Sequence, residues 1–156
     1  MKRFFAIVLA WTLLSGGVSL AVPNAAKTEE AVSYDATLSY ALDAGQTTLT
    51  VNLKGNPTTG YEWSYKASAE DILEEAQSDY KPDPNPDGLT GSGGTFAFVF
   101  AGISKTSGKV SLLFQYMRSW EAEAISAYEI AVTVGQNGEI TVDGVDMPDT
   151  EHESLS

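Results

Sequence analysis

Apolar and polar residues alternate one by one along most of the chain between Ser33 and Asp143. Successive side chains of a β-strand point to opposite faces, so this alternation predicts strands with one buried face. Clusters of Gly, Pro and Asn separate the apolar runs and are typical of turns. The predicted buried faces consist of Ala36, Leu38, Tyr40 and Leu42; Leu49, Val51 and Leu53; Tyr61, Trp63 and Tyr65; Phe96, Phe98 and Phe100; Val110, Leu112, Phe114 and Tyr116; and Tyr128, Ile130, Val132 and Val134.

Two further segments complete the predicted order of strands. Residues 135–138 (Gly-Gln-Asn-Gly) favour a hairpin turn that leads into Ile140 and Val142, because Asn and Gly both tolerate positive φ. Residues 69–80 have a local preference for helix, but their all-strand surroundings favour an extended segment that ends near Tyr80. We therefore predict an all-β fold, an antiparallel sandwich of about seven or eight strands.

The two ends of the chain differ from this domain in composition. Lys2 and Arg3 precede an apolar stretch, and Ser19-Leu20-Ala21 resembles a signal-peptidase site. We predict a signal peptide over residues 1–21, and a secreted or cell-envelope protein without a stable membrane anchor, since the apolar run is short for a span of about 20 residues. Residues 22–32 are expected to be a flexible leader, residues 33–143 the domain, and residues 144–156 an acidic disordered tail.

Charge and composition exclude several classes of function. The chain has 9 Lys and Arg against 21 Asp and Glu, a net charge of −12, which excludes binding to nucleic-acid phosphates as the main function. It contains no Cys, and its one His is His152, which argues against a catalytic triad or a multi-histidine zinc site. Paired carboxylates of a glycosidase remain conceivable at Glu62, Glu121 and Glu123, although glutamates near such loops are usually solvated. We expect no cofactor.

The loop between the second and third predicted apolar runs has the composition of a rigid loop. Pro57 fixes its own φ and restricts Asn56 to an extended conformation. Gly60 can adopt a positive φ at the exit, and the β-branched Thr58 and Thr59 are stiff. The loop is therefore predicted to present both threonines outward, and a plain hairpin loop is the alternative.

Two later loops contain residues that are frequent in binding sites. Residues 91–94 (Gly-Ser-Gly-Gly) would allow close approach of the backbone to a partner, or form a flexible linker. Arg118 and Trp120, on either side of Ser119, belong to the residue types most enriched at binding hot spots. Alternate connections of an antiparallel sandwich return to the same end, so all three loops are predicted to lie together.

In this order and spacing, residues 56–61 (Asn-Pro-Thr-Thr-Gly-Tyr), 91–94 (Gly-Ser-Gly-Gly) and 118–121 (Arg-Ser-Trp-Glu) match three motifs of one family. The chain resembles the chagasin family of cysteine-peptidase inhibitors over roughly residues 35–134. It departs from the third family motif at Ser119, where the family has proline, and serine leaves this loop less stiff.

The resemblance implies an immunoglobulin-like sandwich whose three loops wedge into the active-site cleft of papain-like cysteine proteases. It implies reversible inhibition without chemistry by the inhibitor, which is a monomer and not an enzyme. It places Thr58 and Thr59 over the catalytic cysteine of the target, the glycine loop along the cleft, and Arg118 and Trp120 at its far side. The protease-binding residues so implied are Asn56, Pro57, Thr58, Thr59, Gly60, Tyr61, Gly91, Ser92, Gly93, Gly94, Arg118 and Trp120.

An extracellular immunoglobulin-like adhesion or structural module is the alternative function, since such a module needs only the fold. Residues 83–88 (Asp-Pro-Asn-Pro-Asp-Gly) match the opening of a calcium-binding loop and could stabilise such a module. The twelfth position of that loop would be Gly94 rather than the required glutamate, which argues against calcium and leaves no expected metal ligands.

Overall fold

The computed structural model describes residues 31–84 and 93–149. Within them, nine strands form two sheets in which every pairing is antiparallel, with the strand orders β1-β2-β3-β6-β5 and β4-β7-β8-β9. The strands are β1 (Val32–Ser33), β2 (Leu38–Leu42), β3 (Thr48–Gly55), β4 (Tyr61–Ala67), β5 (Leu73–Pro82), β6 (Gly94–Gly102), β7 (Gly108–Arg118), β8 (Ser126–Val134) and β9 (Ile140–Asp146). The all-β sandwich predicted from the sequence is thereby confirmed.

The core lies between the two sheets and is made by the alternating residues of the central strands. The predicted buried faces of β3, β6 and β8 are buried throughout, as is that of β7 up to Phe114. The prediction for β2 is wrong in part, because the strand begins only at Leu38 and Ala36 is exposed. Ala36 precedes the strand in a bend where the Asp35 carboxylate accepts the backbone N–H groups of Thr37 and Leu38.

The segment with mixed signals is a strand, as expected from its surroundings. Strand β5 pairs with β6 over its full length, from Leu73 opposite Gly102 to Pro82 opposite Gly94, so tertiary pairing overrides the local preference for helix. It is an edge strand with exposed polar side chains and a bulge between Glu75 and Gln77. A charged, bulged edge disfavours pairing with a strand of another molecule.

Both ends of the domain extend further than predicted. The predicted hairpin turn forms, with Gly138 at φ 80° and its N–H donating to the Gly135 carbonyl at 2.9 Å. Strand β9 then continues past the predicted end at Asp143, because Val145 pairs with Ile130, and β1 begins within the predicted leader. The two-residue strand β1 is the ninth strand of the described residues and was not among the seven or eight predicted.

The predicted signal peptide, residues 22–30 of the leader, and the end of the tail from residue 150 lie outside the described residues. In residues 31–84 and 93–149, no helix combines the length and hydrophobicity needed to cross a bilayer.

Two tyrosines that join the sheets should make the fold sensitive to alkaline pH. The hydroxyl of Tyr128 donates to Asp35 Oδ2 at 2.7 Å, and that of Tyr65 donates to Glu75 Oε2 at 2.9 Å. Burial, and then the hydrogen bond to a carboxylate, raise the pKa of each phenol from 10 to about 12. Folding therefore favours the protonated phenols, and their stabilisation is complete below pH 10 and disappears as the pH rises from 10 towards 12.

We expect the free energy of unfolding, measured with denaturant at several pH values, to fall steeply over this alkaline interval. The double variant Tyr65→Phe/Tyr128→Phe has no phenols to ionise at these two places, so its stability should depend less on pH. An equally steep loss in the double variant would show that these two groups do not control alkaline unfolding.

Candidate functional site

Three connections leave from the same end of the sandwich, as predicted. They are the loops β3–β4, β5–β6 and β7–β8, which follow strands that run towards this end. Arg118 Nε donates to the Thr59 carbonyl at 3.2 Å, which joins the β7–β8 loop to the β3–β4 loop. Lys54 and Asp83 form an ion pair at 3.2 Å, which places the start of the β5–β6 loop beside the first loop. Gly91 and Ser92 lie outside the described residues.

The β3–β4 loop is a short 3₁₀ turn held by its own side chains. Asn56 caps the turn, and its Oδ1 accepts from the Thr58 N–H at 3.2 Å and from the Thr58 hydroxyl at 2.6 Å. The Thr59 hydroxyl donates to the Asn56 carbonyl at 2.6 Å. Gly60 leaves the turn at φ 85° and donates its N–H to the Pro57 carbonyl at 3.0 Å. The loop is therefore preformed, as its sequence predicts.

Both threonines of this loop are exposed to solvent. Each hydroxyl group donates its one hydrogen to an oxygen of Asn56. A partner would therefore meet the methyl groups of Thr58 and Thr59 and hydroxyl oxygens that can only accept hydrogen bonds. Because both hydroxyl groups are held in these hydrogen bonds, the two threonines are suited to contact with a partner rather than to nucleophilic attack.

Aromatic residues of strands β4 and β7 contact the first loop and the end of β3 that leads into it. Tyr116 Oη accepts the Asn56 N–H at 2.8 Å, and Trp63 Nε1 donates to the Lys54 carbonyl at 3.0 Å. The rings of Trp63 and Tyr116 stack with their centroids 4.9 Å apart. A Cβ on Gly55 would lie 3.1 Å from the Tyr116 ring, so this glycine lets the strand end rest directly on the rings. Each of these contacts limits movement of the loop.

The third loop presents the most exposed large apolar side chain among the described residues. Trp120 is 71% exposed, as expected for the tip of a loop. Its ring lies against Gly60, where a Cβ would be only 2.8 Å from Trp120 Cη2. The Arg118 guanidinium lies 4.3 Å from the ring centre of Tyr61 and 5.7 Å from that of Trp120. Arg118 also pairs with Glu121, with 3.4 Å between Nη1 and Oε1.

The two described glycines of the second motif are needed by contacts within the protein itself. Gly94 is buried in β6, and a Cβ there would clash with the Lys81 carbonyl and lie 2.6 Å from Tyr80 Oη. A Cβ on Gly93 would lie 2.9 Å from the Gly55 carbonyl oxygen. The sequence alone suggested that these glycines make room for a partner, whereas the structure shows that they make room for neighbouring strands.

No group of three or more potential metal-ligating side chains occurs among the residues that the structure describes. Asp83, the first residue of the calcium-like stretch, forms an ion pair with Lys54, and positions 85–88 of that stretch lie outside the described residues. Among the carboxylates considered for catalysis, Glu121 pairs with Arg118.

Sequence reasoning assigned Tyr116 and Trp63 only to the core and missed that they hold the first loop. The available signal was their position, since each stands on a strand close to a loop motif. Sequence reasoning also placed Arg118 in the contact surface without its partners Glu121, three residues later, and Thr59, which only the fold brings near it.

Comparison with known proteins agrees with this architecture. The family described as "Chagasin family peptidase inhibitor I42" matches residues 42–134. Amoebiasin-1 of Entamoeba histolytica is 32% identical over 95 residues, which cover 56% of this chain and 88% of that protein. The crystal structure of the cysteine protease inhibitor EhICP2 from Entamoeba histolytica superposes with a TM-score of 0.50 at 23% identity, covering 56% of this chain and 78% of that one, and so shares the fold.

The matched family spans most of the sandwich, from the end of β2 to the end of β8, and includes all three loop motifs. The resemblance noted in the sequence is thus confirmed, and so is the prediction that the protein is an inhibitor rather than an enzyme. This chain belongs to the chagasin family of peptidase inhibitors.

Proposed function

We propose that this protein is a reversible inhibitor of papain-like cysteine proteases and that it inserts the three loops of one sandwich end into the active-site cleft. One observation carries the proposal: the preformed turn with exposed Thr58 and Thr59 lies beside the exposed Trp120 at the same end. EhICP2, which shares the fold, is a cysteine protease inhibitor, and this supports the same class of target here.

The geometry favours tight binding without any reaction. Because the first loop is already fixed by hydrogen bonds to Asn56 and Tyr116, it loses little conformational freedom on docking. Its residues form a compact 3₁₀ turn, so the peptide bonds around Thr58 are not laid out as an extended substrate. The loop can therefore occupy the cleft and resist cleavage.

The other two loops would flank this wedge. Trp120 offers an exposed indole, the kind of side chain that dominates binding energy when it becomes buried at an interface. Gly93 and Gly94 bring the ends of the second loop next to Gly55, beside the first loop. The proposed protease-binding surface is formed by residues 56–61, residues 91–94 and Trp120, and Arg118 belongs to it through its contacts with Thr59 and Trp120.

The proposal includes a secreted or extracytoplasmic monomer, released by cleavage near Ala21. The predicted signal sequence supports export. The polar, bulged edge of β5 supports the monomer, because it is poorly suited to pairing with a second copy.

Titration of papain with the purified protein tests the proposed function. With the active enzyme at fixed concentration and a fluorogenic peptide substrate, activity should fall to near zero at about one inhibitor per enzyme, as in a tight complex. Dilution should restore activity, and mass spectrometry should recover the inhibitor uncleaved. Trypsin, which has a serine nucleophile, serves as the negative control.

Full papain activity at excess inhibitor would contradict the proposal and favour the adhesion or structural module. Recovery of a chain cut within residues 56–60 would indicate a substrate rather than an inhibitor.

A further inference from the structure

The side chain of Arg118 is directed into the site rather than towards a partner. The side chain of Arg118 is 33% exposed and the residue is half-buried, whereas Trp120 two residues later is exposed. Nε donates to the Thr59 carbonyl at 3.2 Å, and Nη1 contacts Glu121 Oε1 at 3.4 Å. The guanidinium carbon lies over the ring of Tyr61, 4.3 Å from its centre. Two of its donors and the contact with an aromatic ring are therefore engaged within the protein.

These contacts connect two loops that are far apart in the sequence. Thr59 belongs to the first loop, whereas Glu121 belongs to the third. Tyr61 is the register partner of Arg118 across β4 and β7, so the base of the connection is fixed by the sheet. A displacement of the guanidinium would therefore break contacts with both loops.

The same side chain lies next to the indole of Trp120. The guanidinium carbon is 5.7 Å from the ring centre, and the ring also lies against Gly60, which has no Cβ to displace it. A cation near an aromatic ring attracts it, and the planar guanidinium does so with a fixed geometry that an ammonium lacks. Arg118 and Gly60 together hold the exposed indole in place.

Because residue 119 is serine, the contacts that Arg118 and Gly60 make with Trp120 are more important. A proline at this position would restrict the backbone between Arg118 and Trp120, whereas serine leaves φ free. The turn is closed by the Glu121 N–H, which donates to the Arg118 carbonyl at 3.1 Å. In this chain, side-chain contacts must supply part of the stiffness that a proline would give to the backbone.

We propose that Arg118 is a positioning residue that holds Trp120 against Gly60 and ties the third loop to Thr59, in place of the stiffening that proline would supply at position 119. The effect on inhibition rests on the proposed function, while the effect on Trp120 in the free protein does not. Arg118 acts through Trp120 and Thr59 rather than as an anchor in the protease.

The first test measures Trp120 in the free protein by acrylamide quenching and fluorescence anisotropy. The signal of Trp120 is obtained by subtracting that of Trp120→Ala. Arg118→Lys keeps the charge but loses the planar fork, so quenching of Trp120 should increase and anisotropy should fall. Arg118→Lys/Ser119→Pro should return both values towards those of the parent protein, because proline stiffens the same turn. Unchanged fluorescence in Arg118→Lys would overturn the proposal.

The second test measures inhibition of papain by the same variants. Arg118→Lys should weaken inhibition on the order of tenfold, and adding Ser119→Pro should recover most of this loss. Ser119→Pro alone should change inhibition less than about threefold, since the arginine already holds the loop. A loss that proline does not recover would mean that Arg118 contacts the protease directly, which contradicts the proposal.

Circular dichroism and thermal unfolding show whether each variant folds. Should Arg118→Lys unfold, Glu121→Gln removes only the ion pair and is expected to shift both measurements in the same direction by a smaller amount. If the parent protein fails to inhibit papain, the proposed function is wrong, and the fluorescence comparison still decides the role of Arg118.

Discussion

Trp120→Ala is expected to weaken inhibition of papain by about 30-fold or more without unfolding the domain. The indole is 71% exposed in the free protein, so its removal costs the fold little packing. In a complex the same side chain would be buried, and truncation of such an aromatic anchor costs about 2 kcal/mol or more, which corresponds to this factor. The inhibition constant is measured with a fluorogenic substrate, and the folded state by circular dichroism.

Gln136→Ala is the matched control for this prediction. Gln136 is also exposed, but it lies in the β8–β9 hairpin at the opposite end of the sandwich. Its removal should leave the inhibition constant unchanged. A folded Trp120→Ala protein that inhibits as strongly as its parent would remove Trp120 from the binding surface. Equal losses in both variants would indicate that the protease does not distinguish the two ends.

The sequence was a good guide wherever structure depends on neighbouring residues. The alternation of Leu49, Val51 and Leu53 specifies one buried face, and these three residues are fully buried. The stiffness of the first loop was also predictable, because Pro57 and the Asn56 cap act within a few residues. Such local features are set by the covalent chain and do not require knowledge of the whole fold.

The sequence was a poor guide wherever contacts join distant parts of the chain. The prediction that Arg118 contacts a partner came from its residue type alone, whereas the residue it contacts, Thr59, is 59 positions away in the sequence. Tyr116 accepts a hydrogen bond from Asn56, which is 60 positions away in the sequence. The alternation of apolar residues predicts its place in the core but not this contact with the first loop. The edge strand β1 was missed for a related reason, since two paired residues are too few to show a period.

The glycine motif shows how one pattern supports two physical explanations. Glycine permits a close approach of another backbone, and the sequence does not say whose backbone approaches. Gly94 pairs with Gly55 on one side and with Pro82 on the other, so both neighbours belong to this protein. The two explanations predict different results when a methyl group is added.

Gly94→Ala is expected to lower the stability of the fold strongly. The new Cβ would clash with the Lys81 carbonyl and lie 2.6 Å from Tyr80 Oη, and the backbone carbonyl belongs to a paired strand that cannot move freely. Overpacking of this kind costs about 1–3 kcal/mol. The melting temperature of a domain of this size should fall by about 5–15 °C.

Gly144→Ala is the control that separates this steric effect from the general effect of replacing a glycine in a strand. Gly144 also lies within a strand, β9, but a Cβ there would meet nothing within 4 Å. Its replacement should leave the melting temperature unchanged or slightly raised, because alanine restricts the unfolded chain. If Gly94→Ala were as stable as its parent but lost inhibition, the glycine would serve the approach of the protease. If both stability and inhibition fall, the glycine is required because β5 and β6 must meet closely at this end before the binding loops can form.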